Sequence, residues 1–230
     1  MTLLARRLVA EAVGTFALVF IGAAVVVVNG GFPASSIGLP GVALATATVY
    51  AVMVSATMSI SGGHLNPAVT IAMLVARRVE PLAAIGYIVA QVAAGVLAAA
   101  LVQALLPAGM VREALAGAPV IADALSLNQA IAIEAVLTFF LVSAVFGTAV
   151  SDEAPRIGGF GIGLVLLFDI LVGGPLTGGI VNPARAFGPA LIGGQWVGHI
   201  VWWVGPIAGA ILAALLWEYV LLPRRIRAPH

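Results

Sequence analysis

The sequence contains no cysteine and no lysine, and only 8% of its 230 residues are charged. Without cysteine, disulfide bonds, thiol catalysis and thiolate metal sites are excluded. A net charge of +1 gives no reason to expect nucleic acid or an acidic partner. A soluble domain carries roughly 25% charged residues, so this chain lacks the residues to cover a water-facing surface. We therefore predict a polytopic membrane protein.

The chain is instead rich in apolar residues: 62% of its residues are hydrophobic, and its mean hydropathy is +1.17. A membrane-spanning helix needs about 20 mainly apolar residues. Segments of this kind, separated by turns rich in glycine and proline, predict six spans: Leu8–Val28, Gly41–Ile60, Leu82–Leu106, Asn128–Val150, Gly158–Leu176 and Val197–Leu221. The first run is too long for a cleavable signal peptide, so it is assigned to a span.

Two shorter apolar segments remain, Pro67–Val75 and Pro183–Ile192. Each has about ten residues, which form about 15 Å of helix and cross half of a ~30 Å hydrocarbon core. In both, the first proline follows an asparagine, Asn66 or Asn182, and this order suits the first turn of a helix. We therefore predict two half-helices that begin inside the membrane.

The two half-helices belong to an internal repeat. The sequence SGGHLNPAV at Ser61–Val69 is similar to TGGIVNPAR at Thr177–Arg185. Further pairs of similar segments lie in the spans: Glu11–Phe16 with Glu134–Phe139, and Gly95–Ala99 with Ala210–Ala214. Because each half has an odd number of spans, the second half must be inserted upside down, as in inverted-repeat transport proteins. We expect one transmembrane channel domain, residues 1–230, with inverted repeats at approximately 1–106 and 128–223.

The arginines predict the orientation in the membrane. If both termini are cytoplasmic, the cytoplasmic segments contain every arginine except Arg112 and Arg185, as the positive-inside rule requires. The cytoplasmic arginines would then be Arg6, Arg7, Arg77, Arg78, Arg156, Arg224, Arg225 and Arg227. We expect a multi-pass protein of the cell (plasma or inner) membrane, with the first half-helix entering from the cytoplasm and the second from outside.

The motifs and their order resemble the aquaporin, or major intrinsic protein, family along essentially the whole chain. One Asn-Pro-Ala sequence is uninformative, whereas two copies in this frame, the second followed by Arg185, are highly specific. The resemblance implies an all-α membrane protein with an aquaporin-like fold of six transmembrane helices plus two re-entrant half-helices in an inverted repeat. It also implies a homotetramer, with a pore at the two motifs, Asn66, Pro67, Ala68, Asn182, Pro183 and Ala184.

These residues suit a water-filled pore that excludes ions. A helix N-terminus carries about half a positive charge and unpaired N–H groups, so two that face each other form a barrier to cations, including hydronium. Asn66 and Asn182 would donate to a passing water molecule, which then could not relay a proton. The preceding segments are expected to be extended, with carbonyls facing the lumen. The predicted lining residues are Gly62, Gly63, His64, Leu65, Thr177, Gly178, Ile180 and Val181.

Several residues inside the predicted spans require polar partners or close packing. By resemblance, Glu11 and Glu134 accept hydrogen bonds from the segments beside the motifs, and a proton relay is the alternative. His64 is expected to form hydrogen bonds in the pore lining, and the alternative is a pH gate. Gln91 is expected to form a hydrogen bond between helices. The glycines expected at close helix contacts are Gly14, Gly22, Gly86, Gly95, Gly205 and Gly209.

By resemblance, the selectivity filter consists of Thr46, Ile170, Gly179 and Arg185. Strict water channels of the family have phenylalanine and histidine at the first two positions. Glycerol facilitators have a bulky aromatic residue there and an acidic residue after the arginine, where this chain has Ala186. Because Thr46 and Gly179 are small, we expect an opening wider than one water molecule, with Arg185 as donor and cation barrier.

The expected function is a passive channel in the lipid bilayer for water and small neutral solutes such as glycerol, urea and metalloid hydroxides, with protons and ions excluded. A strictly water-selective aquaporin is the alternative. Ala186, Ala190 and the pair Trp202–Trp203 resemble the water-selective branch, and Phe168 or Tyr50 could narrow the opening.

A proton-coupled secondary transporter is a more remote alternative, with Glu11, Glu134 or Asp169 as proton carriers. For Asp169 itself, the alternatives are a structural pairing, a hydrogen bond at an interface, or a direct contribution to the filter. No residue cluster resembles a nucleophile–base pair or a metal site, so neither an enzyme nor a cofactor is expected.

Overall fold

The computed structural model describes residues 2–151, 153–155 and 157–223, which form helices and connecting loops. The helices are α1 (Leu3–Gly31), α2 (Gly38–Ser61), α3 (Pro67–Val75), α4 (Pro81–Leu105), α5 (Ala108–Glu113), α6 (Leu127–Val145), α7 (Phe160–Thr177), α8 (Pro183–Gly193) and α9 (Val201–Leu216). A wider helical turn extends α6 over Phe146–Val150 and α9 over Trp217–Leu221.

Six of these helices are long and apolar enough to cross a membrane: α1, α2, α4, α6, α7 and α9. The prediction of six spans and two half-helices is therefore confirmed. The predicted boundaries differ most from the structure at the starts of α1 and α9, and α2 also begins three residues before the predicted Gly41. Helix α1 extends beyond Leu8–Val28 because Thr2 caps it, accepting a hydrogen bond from the Ala5 amide. Helix α9 begins after the predicted Val197 because Gly198 has φ +65°, a left-handed conformation that interrupts a helix.

The half-helices begin where the sequence predicted, and local chemistry explains why. The side-chain oxygen of Asn66 accepts from the Ala68 amide, and that of Asn182 accepts from the amides of Ala184 and Arg185. A proline follows each cap, where its missing N–H costs nothing. The preceding spans α2 and α7 end at Gly62 and Gly178, with φ +94° and +92°.

The helices pack in two matching sets. Helix α1 packs against α2 and α4, and helix α6 packs in the same way against α7 and α9. Each half-helix packs mainly on the third span of the opposite half, α3 on α9 and α8 on α4. This exchange interlocks the halves in the predicted inverted repeat and brings the starts of α3 and α8 together inside the protein.

Glycines allow the spans to approach closely. At Gly95 of α4, a side-chain carbon would lie 2.7 Å from the carbonyl oxygen of Ala184 in α8. At Gly205 of α9, it would lie 2.7 Å from the carbonyl oxygen of Ile131 in α6, and at Gly209 it would overlap that of Ala135. Packing of backbone against backbone, rather than of large side chains, therefore holds α6 and α9 together.

The structure describes some, but not all, of the arginines on which the predicted membrane orientation depends. Arg156, Arg224, Arg225 and Arg227 lie outside the described residues. Arg7 of α1 lines the same cavity as Arg77 and Arg78, which follow α3. These three arginines therefore share one end of the molecule. Arg112 lies instead beside the end of α8, at Gly193.

Replacement of Gly209 by leucine should destabilise the fold, because the side chain would enter space filled by the backbone of α6. Overpacking of this kind costs about 1–3 kcal/mol of unfolding free energy. We expect a lower midpoint of thermal unfolding for Gly209→Leu in detergent, followed by tryptophan fluorescence. The matched control is Gly30→Leu, because a side-chain carbon at Gly30 would meet no atom within 4 Å. Equal midpoints for the two variants would contradict the packing account.

Candidate functional site

The two half-helix starts are joined by reciprocal hydrogen bonds between the halves. Asn66 donates its side-chain N–H to the carbonyl oxygen of Val181 at 2.8 Å. Asn182 donates in the same way to the carbonyl oxygen of Leu65 at 3.0 Å. Each amide nitrogen carries a second N–H, and both asparagines line one cavity. One donor on each asparagine is thus structural, and the other is left for a molecule in the cavity.

The segments before the half-helices are not simply extended, so this part of the prediction is wrong. Gly62, Gly63 and Leu65 have φ values of +94°, +62° and +50°. The second half repeats the pattern with +92°, +57° and +49° at Gly178, Gly179 and Val181. A left-handed conformation at a non-glycine residue costs of the order of 1–3 kcal/mol, so Leu65 and Val181 must be held in place by neighbouring contacts.

In the first half, those contacts come from Glu11, which is fully buried in α1. Its carboxylate accepts from the hydroxyl of Ser61 at 2.6 Å, and from the backbone amides of His64 at 3.0 Å and Leu65 at 2.6 Å. The strained residue Leu65 is therefore tied directly to a span. A fourth donor, the side-chain amide of Gln91, lies 2.8 Å from the same carboxylate, which confirms the bond between helices predicted for Gln91.

The second half repeats this arrangement around Glu134 of α6, which is also fully buried. Its carboxylate accepts from the hydroxyl of Thr177 at 2.6 Å, and from the backbone amides of Ile180 at 3.1 Å and Val181 at 2.8 Å. A side-chain donor also reaches the carbonyl oxygen at the start of each segment. Tyr87 donates to Ser61 at 2.8 Å in the first half, and Trp202 donates to Thr177 at 2.9 Å in the second.

The carbonyl oxygens of these segments are only partly available to the pore, contrary to expectation. Those of Leu65 and Val181 accept from the opposite asparagines, and the hydroxyl of Tyr50 donates to that of His64 at 3.4 Å. Three predicted lining residues, Gly63, Leu65 and Thr177, line neither of the two cavities at the half-helix starts. All three residues are buried in the protein instead.

The proline and alanine residues of the two motifs are buried and do not face the outer side of the asparagines. Pro67, Ala68, Pro183 and Ala184 form the buried first turns of α3 and α8. Only the asparagines of the two motifs line the cavity on the filter side. The sequence motif is therefore a packing and capping unit that presents one side chain per half.

On one side of the asparagines lies a cavity of about 220 Å³, here named the outer cavity. The four predicted filter residues, Thr46, Ile170, Gly179 and Arg185, all line it. Its walls are otherwise mostly apolar or glycine, with Leu18, Gly22, Val26, Leu39, Val42, Gly117, Leu141, Leu166, Gly174, Gly178, Ile180 and Val181 among the lining residues. The predicted filter positions thus come together at one place, although they lie on three different helices and a loop.

The two aromatic residues that could narrow the opening occupy different places. Phe168 lies on the outer face of α7, where it is 44% exposed and packs edge-on against Phe140 with ring centroids 6.3 Å apart. It therefore cannot fill the gap at the filter. Tyr50 does line the outer cavity, but its hydroxyl bonds to the His64 carbonyl next to the half-helix starts.

Arg185 is held by two backbone carbonyls. One terminal nitrogen donates to Gly117 at 3.0 Å and the other to Gly22 at 2.9 Å. Gly117 belongs to the loop between α5 and α6, and Gly22 lies in α1. Sequence reasoning missed Gly117, because a carbonyl acceptor has no side-chain signature, and it assigned Gly22 to helix packing alone.

On the other side of the asparagines lies a cavity of about 380 Å³, the inner cavity, lined by Gly62, His64, Arg7, Arg77, Arg78, Glu80, Tyr87 and residues of the α2 and α3 ends. The His64 ring nitrogen Nδ1 lies 3.2 Å from the hydroxyl of Thr70. Arg78 forms an ion pair with Glu218 at 2.8 Å. The inner cavity is thus polar and predominantly positive, unlike the apolar outer cavity.

Asp169 has no hydrogen-bond partner for either carboxylate oxygen among the described residues, although it is fully buried. The structural pairing considered for it is therefore absent from the described part of the chain. It also does not line the outer cavity, which its neighbour Ile170 does. A helical step of about 100° separates the two side chains.

Comparison with known proteins places this geometry in a family. A model of the family "Major intrinsic protein" matches residues 2–217. The chain is 42% identical to "Probable aquaporin TIP3-2" from Arabidopsis thaliana, over 84% of this chain and 72% of that protein. It is 40% identical to "Aquaporin TIP4-4" from Zea mays, over 93% of this chain and 85% of that protein.

The fold of this chain is also similar to that of a solved structure. The aquaglyceroporin from Plasmodium falciparum matches with a TM-score of 0.82 and 22% sequence identity, over 94% of this chain and 96% of that chain. At this identity the likeness supports the fold alone. The family match and the curated relatives extend over nearly the whole sequence, including both half-helices. The chain therefore belongs to the major intrinsic protein family, and it is a membrane channel, not an enzyme.

Proposed function

We propose that the protein is a passive channel for water and small neutral solutes, such as glycerol, urea and metalloid hydroxides, and that it excludes protons and ions. One observation carries the proposal: Thr46, Ile170, Gly179 and Arg185 surround a single cavity that ends at the paired asparagines of the half-helices. In a channel with these residues at its filter, a permeating molecule contacts one fixed cation, and the other filter residues are small or apolar.

Exclusion of protons follows from the half-helix starts. Helices α3 and α8 both begin beside the reciprocal asparagine bonds, so their positive ends converge on the same region. A cation that enters this region, including hydronium, meets an unfavourable potential. A water molecule that accepts from the second N–H of both Asn66 and Asn182 has its oxygen occupied, so it cannot receive a proton from a neighbouring water.

The breadth of solutes follows from the walls of the outer cavity. The hydroxyl of Thr46 donates its hydrogen to the carbonyl oxygen of Val42 at 2.9 Å, so Thr46 has no donor left for a solute. Its side chain is also small. Gly179 has no side chain, and Ile170 presents methyl groups. Such walls suit the carbon atoms of a polyol, while Arg185 donates to its hydroxyl groups. Strict selectivity for water would require these small positions to be filled from elsewhere, and Phe168, which packs against Phe140, lies too far outside.

We assign Glu11 and Glu134 to support of the half-helix segments instead of proton transfer. Their carboxylates accept hydrogen bonds from fixed backbone amides, and release of these bonds would leave buried N–H groups without partners. Proteoliposome flux separates the two functions. A channel gives linear, non-saturating flux that a pH gradient does not change, whereas accumulation driven by the gradient would identify a proton-coupled transporter.

We further infer one pore per subunit in a homotetramer of the cell membrane, with both termini cytoplasmic. Arg7, Arg77 and Arg78 share the inner cavity, which supports a cytoplasmic position for that mouth. Large apolar side chains cover the outside of the spans, as at Leu82 of α4 and Leu164 of α7, and suit contact with lipid or a second copy. We divide the domain into inverted halves at approximately residues 1–106 and 128–223.

Replacement of Arg185 by valine should raise the leak of protons and cations, because it removes the fixed charge from the outer cavity. An interaction between unit charges at close range near a protein surface is about 1–4 kcal/mol, which corresponds to a leak increased roughly tenfold or more. The measurement is proton flux into liposomes that contain a pH-sensitive dye. Arg112→Val, which removes a charge outside the outer cavity, is the control. An unchanged leak in Arg185→Val would contradict the barrier role.

The double change Thr46→Phe with Ile170→His should preserve water flux and reduce glycerol and urea flux. The phenylalanine ring at position 46 narrows the filter and adds a steric barrier of about 1–3 kcal/mol for a solute, which corresponds to a reduction of roughly tenfold. Stopped-flow light scattering of proteoliposomes measures the three permeabilities. Val172→Phe, at an exposed position of α7, controls for an added aromatic ring. If solute flux survives the double change, the filter is assigned to the wrong residues.

If the unmodified protein conducts water but neither glycerol nor urea, the strictly water-selective alternative is correct. That result would reject the proposed breadth of solutes without affecting the assignment of the channel to its family.

Replacement of Glu134 by alanine should destabilise the channel, because the amides of Ile180 and Val181 lose their acceptor. Each buried N–H without a partner costs about 1–3 kcal/mol. We expect a lower unfolding midpoint and reduced water permeability, with Glu113→Ala, an exposed acid, as the control. A Glu134→Ala variant with normal stability and water flux would show that the carboxylate does not support this segment.

A further inference from the structure

Beside the four filter residues, the outer cavity is lined by a glycine of α1 that contacts Arg185. Gly22 lines the outer cavity and accepts a hydrogen bond from Arg185 through its carbonyl oxygen at 2.9 Å. A carbonyl within a helix normally accepts from the amide four residues later, so this one has an additional donor. The backbone of α1 is thus in direct contact with the charged residue of the filter.

The missing side chain of Gly22 is what allows this contact. A side-chain carbon at this position would lie 2.8 Å from Nε of Arg185 and 3.4 Å from the Cγ2 methyl group of Thr46. Both neighbours are filter residues. Gly22 lies in the interior of α1 and is not among the glycines with positive φ, so alanine can adopt its backbone conformation. The requirement for glycine is therefore steric.

The surroundings of Arg185 are closely packed on the side away from the outer cavity. On the side of the loop, the carbonyl oxygen of Gly117 accepts a hydrogen bond from the other terminal nitrogen of Arg185 at 3.0 Å. This loop is itself pressed against α1, since a side-chain carbon at Gly117 would lie 2.7 Å from Cα of Ala23. The half-helix α8 is packed on α4, where a side-chain carbon at Gly95 would lie 2.7 Å from the Ala184 carbonyl oxygen. The outer cavity, which Arg185 lines, is the open space next to the guanidinium, so a side chain displaced from α1 has room to move into it.

We propose that Gly22 is a specificity-determining residue of the channel, because its lack of a side chain lets Arg185 retract against α1 and so sets the width of the filter. A methyl group at this position pushes the guanidinium into the outer cavity, which Ile170 also lines. The opening then excludes solutes larger than water. This inference rests on the proposed channel for small neutral solutes and adds a determinant that lies outside the four filter positions.

The test is a double-mutant cycle between Gly22→Ala and Arg185→Ala in proteoliposomes. Water, glycerol and urea permeabilities are measured by stopped-flow light scattering for the unmodified chain, both single variants and the double variant. Gly30→Ala is the matched control, because it adds the same methyl group to the same helix where no atom lies within 4 Å.

We expect Gly22→Ala to reduce the glycerol-to-water and urea-to-water permeability ratios roughly tenfold, a change typical of steric barriers from overpacking. Gly30→Ala should leave both ratios unchanged. In the Arg185→Ala background, the effect of Gly22→Ala should disappear, because the methyl group no longer has a guanidinium to displace. An equal effect in both backgrounds, or no effect of Gly22→Ala on any permeability, overturns the proposal.

Two other outcomes also decide the question. If the unmodified chain passes only water, the proposed solute breadth fails, and the cycle is judged on water permeability, which Gly22→Ala should reduce only when Arg185 is present. If Gly22→Ala does not fold, the double variant is compared by size-exclusion chromatography. Recovery of folding in the double variant supports a clash with Arg185, whereas a defect that persists without Arg185 overturns the proposal.

Discussion

The protein depends on the bonds between two buried carboxylates and the backbone amides of two interrupted segments. Inside a membrane, a helix that stops leaves N–H and C=O groups without water as a partner, and each such group costs several kcal/mol. Glu11 and Glu134 supply the missing acceptors at distances of 2.6 to 3.1 Å. Without these acceptors, the buried N–H groups of both segments would have no partner, and the half-helices could not begin inside the protein.

The remaining features follow from this support. Leu65 and Val181 can adopt a left-handed backbone because their amides are bound to the carboxylates. That conformation aims their carbonyls at the asparagine of the opposite half, and the two halves are thereby locked together. The polar groups used in this network are no longer available to a permeating molecule, so the channel presents few donors and acceptors, each in a defined position.

The scaffold is nearly symmetric, whereas the channel chemistry lies in the departures from symmetry. The carboxylate, hydroxyl and amide contacts have matching partners in both halves. Arg185 has no basic counterpart, because the repeat has Val69 at that place. The first half instead adds Gln91 and His64, and its mouth carries arginines. An apolar outer cavity with one held cation and a polar inner cavity therefore arise from one duplicated motif.

The sequence by itself determined the six spans, the two half-helices and the inverted repeat, because these depend on the lengths of apolar segments, on caps and on repeated residues, all of which are local. The four positions that meet at the outer cavity came from the resemblance of the sequence to the aquaporin family. Only the tertiary structure decided the left-handed turns, the reciprocal asparagine bonds, the outward position of Phe168 and the lack of a hydrogen-bond partner for Asp169 among the described residues. It alone also identified Gly22 and Gly117 as the partners of Arg185, because contacts with backbone carbonyls, and space left by an absent side chain, leave no pattern in the sequence.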